Sequence, residues 1–296
     1  MIPLKKPGMQ GAESTMSYIL LTVDVEDWFQ VENLRSHFPF NSWDSCELRV
    51  EDNTHVLLDL FDRFNVSATF FVLGWIAERC PGLVKEIKTR GHEVASHGYG
   101  HQLCYDLSSP ELKEDLYRSK SLLEDIIGWP VYGYRAPNFS ITQELVDFLE
   151  ELGFRYDSSY NDFSMHSRYG KMDSIQQHFP KARSYQENSF TEIPISNLKL
   201  GGKSIPWGGG GYFRLLPFWL FKQGVARILR QQEYYLFYCH PWEFDPDQPR
   251  VDGIRPDRRF RHYVNLAETS NRMSCFLSGF RQHKFITCSR FLALDS

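Results

Sequence analysis

Strand-like and helix-like stretches alternate along this chain, and the alternation leaves few folds open. Tyr18–Val23 has the mostly apolar content of a buried strand. Asn53–Phe64 places Val56, Leu57, Leu60, Phe61 and Phe64 at helical spacing, the pattern that gives a helix one apolar face. Ser67–Leu73 reads as a second strand, followed by a helix from about Trp75 to Thr89 closed by Gly91, and then by a short strand that delivers His97. Ser109-Pro110-Glu111 marks a helix start, with a capping hydroxyl, proline at the first helical position and an acid in the first turn. That helix is expected to run to Ile127 and stop at Gly128. Val131–Tyr134 is the next strand, Thr142 caps a helix through Leu152, and Phe154-Arg155-Tyr156 leads to Asp157. Thr191–Ser196 and Tyr234–Cys239 read as strands, with a glycine-rich turn over Trp207–Gly211 and a helix over Leu216–Leu229 between them. Such an order predicts an α/β fold with a parallel sheet and right-handed connections.

Polar residues fall at one recurring place in this pattern. Asp24, His97, Arg135, Asp157 and His240 each follow the C-terminal end of a different expected strand. Each alone has an ordinary structural reading as a surface charge, a helix cap or a core histidine. In barrels of parallel strands, however, that rim carries the catalytic loops, and five such residues on one rim point to a site.

The segment His97-Gly98-Tyr99-Gly100-His101 presents two imidazoles four residues apart. Two imidazoles and a carboxylate suffice to hold Zn²⁺ or Fe²⁺ while leaving positions open. The two glycines disfavour a helix, and Gly98 stands where the helical zinc-protease motif needs Glu. The third donor is sought in Asp24-Val25-Glu26-Asp27, where either Glu26 or Asp27 is available. Strand alternation turns Asp24 and Glu26 to the same side and favours Glu26, whereas a turn just after the strand would let the shorter Asp27 swing in.

Composition narrows the partners. A net charge of -4 argues against a nucleic-acid surface. No stretch approaches the ~18 to 20 uninterrupted apolar residues of a membrane span. The N-terminus shows no signal-peptide core, so a cytoplasmic location is expected. The six cysteines form no C-x-x-C pair and read as free thiols. We expect a disordered extension over 1–16 and a single domain over 17–296, with an inserted loop at 160–190 and a C-terminal helical extension from about 250.

The order of motifs resembles the polysaccharide deacetylases with the NodB homology domain, carbohydrate esterase family 4, over roughly Ile19 to Trp242. Asp-Val-Glu-Asp-Trp-Phe, Arg-Ala-Pro-Asn-Phe-Ser, Gly-Gly-Gly-Gly-Tyr-Phe-Arg-Leu-Leu-Pro and His-Pro-Trp-Glu-Phe-Asp-Pro look like the branch found in bacterial exopolysaccharide gene clusters. The resemblance implies a distorted, incomplete (β/α) barrel of about seven parallel strands. It matches Asp24 to the family's catalytic base and His97 and His101 to metal ligands, with Glu26 or Asp27 as the third. Arg135 matches the arginine that holds the base, and Asn138 stands where a backbone N–H meets the oxyanion, a place often taken by an aromatic. Asp157 resembles the fourth motif, and would orient His240 or Arg135. Phe237-Tyr238-Cys239-His240 departs from the usual Leu-x-His at its first position and supplies His240 as the acid.

The implied reaction is metal-dependent hydrolysis of N-acetyl groups on a sugar or polysaccharide, releasing acetate, in exopolysaccharide biosynthesis. Its cofactor would be a divalent ion, Zn²⁺ foremost, with Co²⁺ or Ni²⁺ as substitutes. Trp28, Phe29, Trp207, Tyr212 and Trp242 are candidate sugar-stacking surfaces. The rival readings are an amidase for a small N-acyl or N-formyl compound, an Fe²⁺ oxygenase on the same ligands, and a non-catalytic glycan-binding domain.

Overall fold

The computed structural model describes residues 17–162 and 190–294. The expected extension at 1–16 and nearly all of the expected insertion at 160–190 therefore lie outside the described residues. Strands β1 (Tyr18–Val25), β2 (Thr69–Val72), β3 (Glu93–Ser96), β4 (Gly133–Tyr134), β5 (Tyr156–Asp157) and β6 (Thr191–Glu192) pair in parallel, in chain order. Strand β9 (Tyr234–Cys239) lies parallel along the other edge of β1, in register from Tyr18↔Tyr234 to Val23↔Cys239. Seven parallel strands thus curl in the order β9-β1-β2-β3-β4-β5-β6.

The barrel does not close by strand pairing. Between β6 and β9 the gap is spanned by the Leu236 N–H donating to Ser196 Oγ (2.8 Å) and the Tyr238 N–H donating to the Gly208 carbonyl (2.7 Å). A Cβ at position 208 would stand 2.7 Å from the Leu236 carbonyl oxygen, so only glycine permits this close backbone approach.

Two apolar layers follow from the two-residue period of the strands. Leu20, Phe71, Ala95, Tyr156, Ile193 and Leu236 fill the barrel interior. Ile19, Leu21, Val23, Phe70 and Val72 point outward, under helices that contribute Leu57, Phe61, Leu83 and Ile87. The same alternation continues past the interior layer, so Leu20 is followed on its face by Thr22 and Asp24, Ala95 by His97, and Leu236 by Tyr238 and His240.

Several elements differ from expectation for local reasons. The helix expected over Trp75–Thr89 is two helices, Gly74–Arg79 and Pro81–Thr89, because Pro81 has no N–H to continue the first and its fixed φ suits the start of the second. The long helix Ser109–Ile127 is capped by Ser108 in a capping box with Glu111, one residue before the expected cap. Asn197–Leu200 (β7) and Lys203–Pro206 (β8) form an antiparallel hairpin that was not foreseen. Its Gly201-Gly202 loop has positive φ at both residues (54° and 78°), the signature of a two-residue hairpin turn. The C-terminal stretch is not solely helical: beyond the helices Pro256–Tyr263 and Thr269–Gly279, Lys284–Phe285 (β10) pairs in parallel with the start of β1. All six cysteines are free, and no described helix is long and apolar enough to cross a membrane.

Candidate active site

At the C-terminal mouth of the barrel, three donors converge. Glu26 Oε1 lies 3.1 Å from His97 Nε2 and 3.0 Å from His101 Nε2, and all three side chains are buried. The turn that carries the histidines is built for this approach. Gly98 and His101 adopt positive φ (73° and 52°), and Asp115 of the long helix accepts the N–H groups of Tyr99 (2.9 Å) and Gly100 (3.2 Å). A Cβ at position 98 would stand 2.7 Å from Asp115 Oδ2. His97 Nδ1 meets the Arg135 carbonyl at 2.8 Å, which places the proton on Nδ1 and turns the Nε2 lone pair toward the cluster.

The electrostatics match a cation site. Burial alone would raise the Glu26 pKa, yet His101 and His240 hold it well below the usual carboxylate range. Burial works against a charged His101, and Glu26 overrides it and raises its pKa. One carboxylate oxygen and two imidazole nitrogens, all within 4.8 Å of one another, form a donor set that suits a divalent transition ion. Asp27 takes no part. Its Oδ2 accepts the N–H groups of Arg49 (2.7 Å) and Val50 (2.9 Å), and its Oδ1 that of Trp28 (2.8 Å), so it caps the helix Val50–Phe64 instead. Burial pushes its pKa up to about 6, against the pull of those donors.

Beside the cluster, Arg135 is fully buried and spends its guanidinium on fixing Asp24. Nη1 donates to Asp24 Oδ1 (2.7 Å) and Thr22 Oγ1 (2.8 Å), Nε to the Ser158 carbonyl (3.0 Å) and Nη2 to Ser158 Oγ (2.9 Å). The guanidinium also lies 4.1 Å over the Phe71 ring. His240 Nε2 stands 3.9 Å from Asp24 Oδ2 and 3.8 Å from Glu26 Oε1. His240 Nδ1 pairs with Glu243 Oε1 at 2.8 Å, and Glu243 Oε2 accepts from buried Arg214 Nε at 2.7 Å. Burial would lower the His240 pKa, but Glu26, Glu243 and Asp24 together raise it to about 9. The ring therefore holds a proton on Nε2 at neutral pH, aimed across the mouth at Asp24.

Asp24, Glu26, His101 and His240 floor a cavity of about 530 Å³ that Asn138 and Tyr212 also line. Asn138 sits in the left-handed region (φ 53°) immediately after Pro137.

The comparisons with known proteins agree with this geometry. Residues 39–156 match the polysaccharide deacetylase family, and residues 158–293 match a domain of unknown function, DUF3473. Over that first stretch the chain is similar to the polysaccharide deacetylases. A peptidoglycan deacetylase of Helicobacter pylori is 34% identical over 110 residues, 36% of this chain and 38% of that protein. A peptidoglycan-N-acetylglucosamine deacetylase of Bacillus cereus is 29% identical over 124 residues, 37% of this chain and 45% of the other. The chain thus spans less than half the length of these curated relatives. A proposed polysaccharide deacetylase from Mycobacterium smegmatis superposes with a TM-score of 0.59 at 18% identity, over 97% of this chain and 92% of the other. The Xyl-CE4 domain of a multidomain xylanase from a termite (Trinervitermes trinervoides) hindgut metagenome gives 0.51 at 14% identity, over 94% and 91%. At such identities the likeness is one of fold, the incomplete (β/α) barrel.

Four expectations need correction in this chain. Asp157 contacts neither His240 nor Arg135 in a hydrogen bond. Its Oδ1 accepts from Ser159 Oγ (2.6 Å), and Ser159 Oγ in turn accepts the Ala136 N–H (2.7 Å). Asp157 is also hydrogen-bonded to Glu192, and burial lifts both carboxyls above their ordinary range. It is one step removed from the site, and Ser158, its neighbour on the opposite face, is what touches Arg135. Trp28 is not at the mouth: its ring packs edge-on against Phe29 and Phe38, and its Nε1 donates to the Glu47 carbonyl (3.0 Å). Phe29 is wholly buried in the same cluster. Trp207 is core as well, stacked on Phe221 and pressed so closely on Gly224 that a Cβ there would stand 2.1 Å from the indole. Trp242 does line the cavity, stacked between His240 (5.3 Å) and His262 (4.5 Å).

Sequence reasoning missed Glu243, Arg214, Ser158 and Asp115. Glu243 lies three residues after His240, inside a motif already singled out, and its acidic side chain at that spacing was the available signal. Arg214 lay within the glycine-rich motif with nothing local to mark it as buried.

Proposed function

We propose that this chain is a divalent-metal-dependent hydrolase that removes N-acetyl groups from a sugar or polysaccharide and releases acetate. The observation that carries the reading is one mouth holding a Glu26/His97/His101 donor set, an arginine-fixed carboxylate and a protonated histidine facing it. Zn²⁺ suits the mixed carboxylate and imidazole donors best, and exopolysaccharide synthesis is the setting that the motifs resemble. The parallel pairing of β1 with β9 along one edge and with β10 and β2 along the other supports reading both family regions as one folding unit.

Glu26, His97 and His101 would hold the ion, which polarises the acetyl carbonyl and acidifies a water when bound. Asp24 accepts the proton of the attacking water, and Arg135 holds the carboxylate in place for that purpose. The Asn138 N–H donates to the oxygen on which charge develops. His240 gives its Nε2 proton to the departing nitrogen as the C–N bond breaks, so that a free amine and acetate leave. Glu243 keeps the His240 ring aimed and charged, with Arg214 holding Glu243 in place.

Acetate release from a panel of N-acetylated oligosaccharides is expected to stop with a chelator and to return with Zn²⁺, Co²⁺ or Ni²⁺. Activity that survives complete removal of metal would refute the mechanism. Glu243→Gln should lower kcat by about tenfold or more with little change in KM, because the amide keeps a hydrogen bond while losing the charge that sustains the imidazolium. An unchanged kcat would remove Glu243 from the acid's support.

A further inference from the structure

The cavity above the candidate site has an unusual wall. Arg255, Arg258 and Arg261 all line it, from the helix Pro256–Tyr263 and the residue that precedes it. Their spacing of three places them on one helical face, and that face is turned to the cavity. Arg259, off this face, does not line it and stands 3.7 Å from Asp252. A single carboxylate on this wall, Asp257, meets two of the three guanidinium groups, 3.2 Å from Arg255 Nε and 3.7 Å from Arg261 Nη2. Arg258 has no ion-pair partner among the described residues. The wall is cationic in a chain whose net charge is -4.

Arginines on an exposed helix are ordinarily a solvated face, but this helix is tied to the catalytic floor. Buried Arg214 donates to the carbonyls of His262 (2.9 Å), Val264 (2.7 Å) and Arg261 (3.2 Å) while its Nε holds Glu243. His262 stacks on Trp242, which stacks on His240. Burial and the neighbouring Arg214 lower the His262 pKa to about 3, so the stacked ring is neutral and adds no charge of its own. The cationic wall therefore keeps a fixed position relative to His240. The acids that also line the cavity are accounted for elsewhere: Asp24 and Glu26 belong to the floor, Glu243 is paired with Arg214, and Glu32 stands 4.0 Å from Arg35.

We infer that the substrate is an acidic glycan, with a carboxylate or phosphate group seated against Arg255, Arg258 and Arg261 while the acetamido group lies over Asp24 and His240. Guanidinium groups bind both oxyanions through paired N–H donors. The inference rests on the glycan-hydrolase reading and narrows it to a substrate class.

Equilibrium binding and acetate release are to be measured side by side on the metal-loaded full chain. The probes are a neutral N-acetylglucosamine tetramer, a tetramer alternating N-acetylglucosamine with glucuronic acid, and a tetramer carrying a terminal phosphate. At least one acidic probe is expected to bind about tenfold more tightly than the neutral one, with the difference shrinking as salt rises. The better of the two identifies the oxyanion. In the R255Q/R258Q/R261Q variant the acidic and neutral probes should bind within about twofold of each other. Equal binding of all three probes to the unaltered chain would overturn the inference, and so would a preference that survives in the variant. Acetate release from neutral and acidic probes alike, without a binding preference, would leave the hydrolase reading standing and sink this one. A binding preference without acetate release would do the reverse.

Discussion

Glu26→Gln is expected to lower the protein's affinity for its divalent ion by at least about 100-fold, whereas Asp27→Asn leaves it bound. Glu26 is the sole carboxylate among the three converging donors, and an amide oxygen offers neither its charge nor its affinity for a transition ion. The cost of Asp27→Asn falls on stability. Asp27 accepts three backbone N–H groups on two oxygens, so an amide turns an NH₂ toward at least one of those donors. A buried N–H left without an acceptor costs about 1–3 kcal/mol. Metal content after dialysis and the thermal midpoint, measured on both variants, separate the two roles. Metal loss confined to Asp27→Asn would assign the third ligand to Asp27 and overturn the present assignment.

Asp24→Asn should abolish measurable acetate release, a fall of about 10³-fold, with the ion retained. The amide preserves the shape and still accepts from Arg135 Nη1, which now donates to Asp24 Oδ1 at 2.7 Å, but it cannot take a proton from water. Asp24 lies outside the converging donor set, so the ion does not depend on it. His240→Ala should likewise spare the ion, with a smaller loss on substrates whose amine departs easily, since those need less help from an acid. If the Asp24→Asn protein instead emerges without metal, Asp24 is a ligand and the base must be sought elsewhere. An acetate assay alone would not tell these cases apart, and the metal analysis does.

Local pattern carried much of the structure. Alternating strands and helices, the end of β3 just before His97, the stop at Gly128 (φ 63°) and the Thr142 cap on Leu145 N–H all follow from side-chain spacing and backbone sterics within a few residues. Strand alternation by itself turned Asp24 and Glu26 to one side, which is where the structure has them. The Gly201-Gly202 hairpin was legible by the same rules and went unread.

Other features were set by segments far apart in the chain. Trp28, Trp207 and Trp242 are one residue type beside similar motifs, yet Phe38 and Glu47 enclose the first, Phe221 and Gly224 the second, and His240 and His262 flank the third at the cavity. Asp157 follows a strand as the other rim residues do, but Glu192 and Ser159 claim its oxygens, and Ser158 reaches Arg135 instead. Arg214 is buried because three carbonyls from residues 261–264 and Glu243 surround it. From its sequence alone this protein settled its strand and helix order, the phase of its strands and the rim on which its chemistry-bearing residues stand, because spacing and backbone sterics act over a few residues. Which aromatics line the cavity, which acid pairs with His240 and which arginines line the cavity wall were decided by the tertiary structure, because burial and pairing depend on the distant segment that covers each side chain.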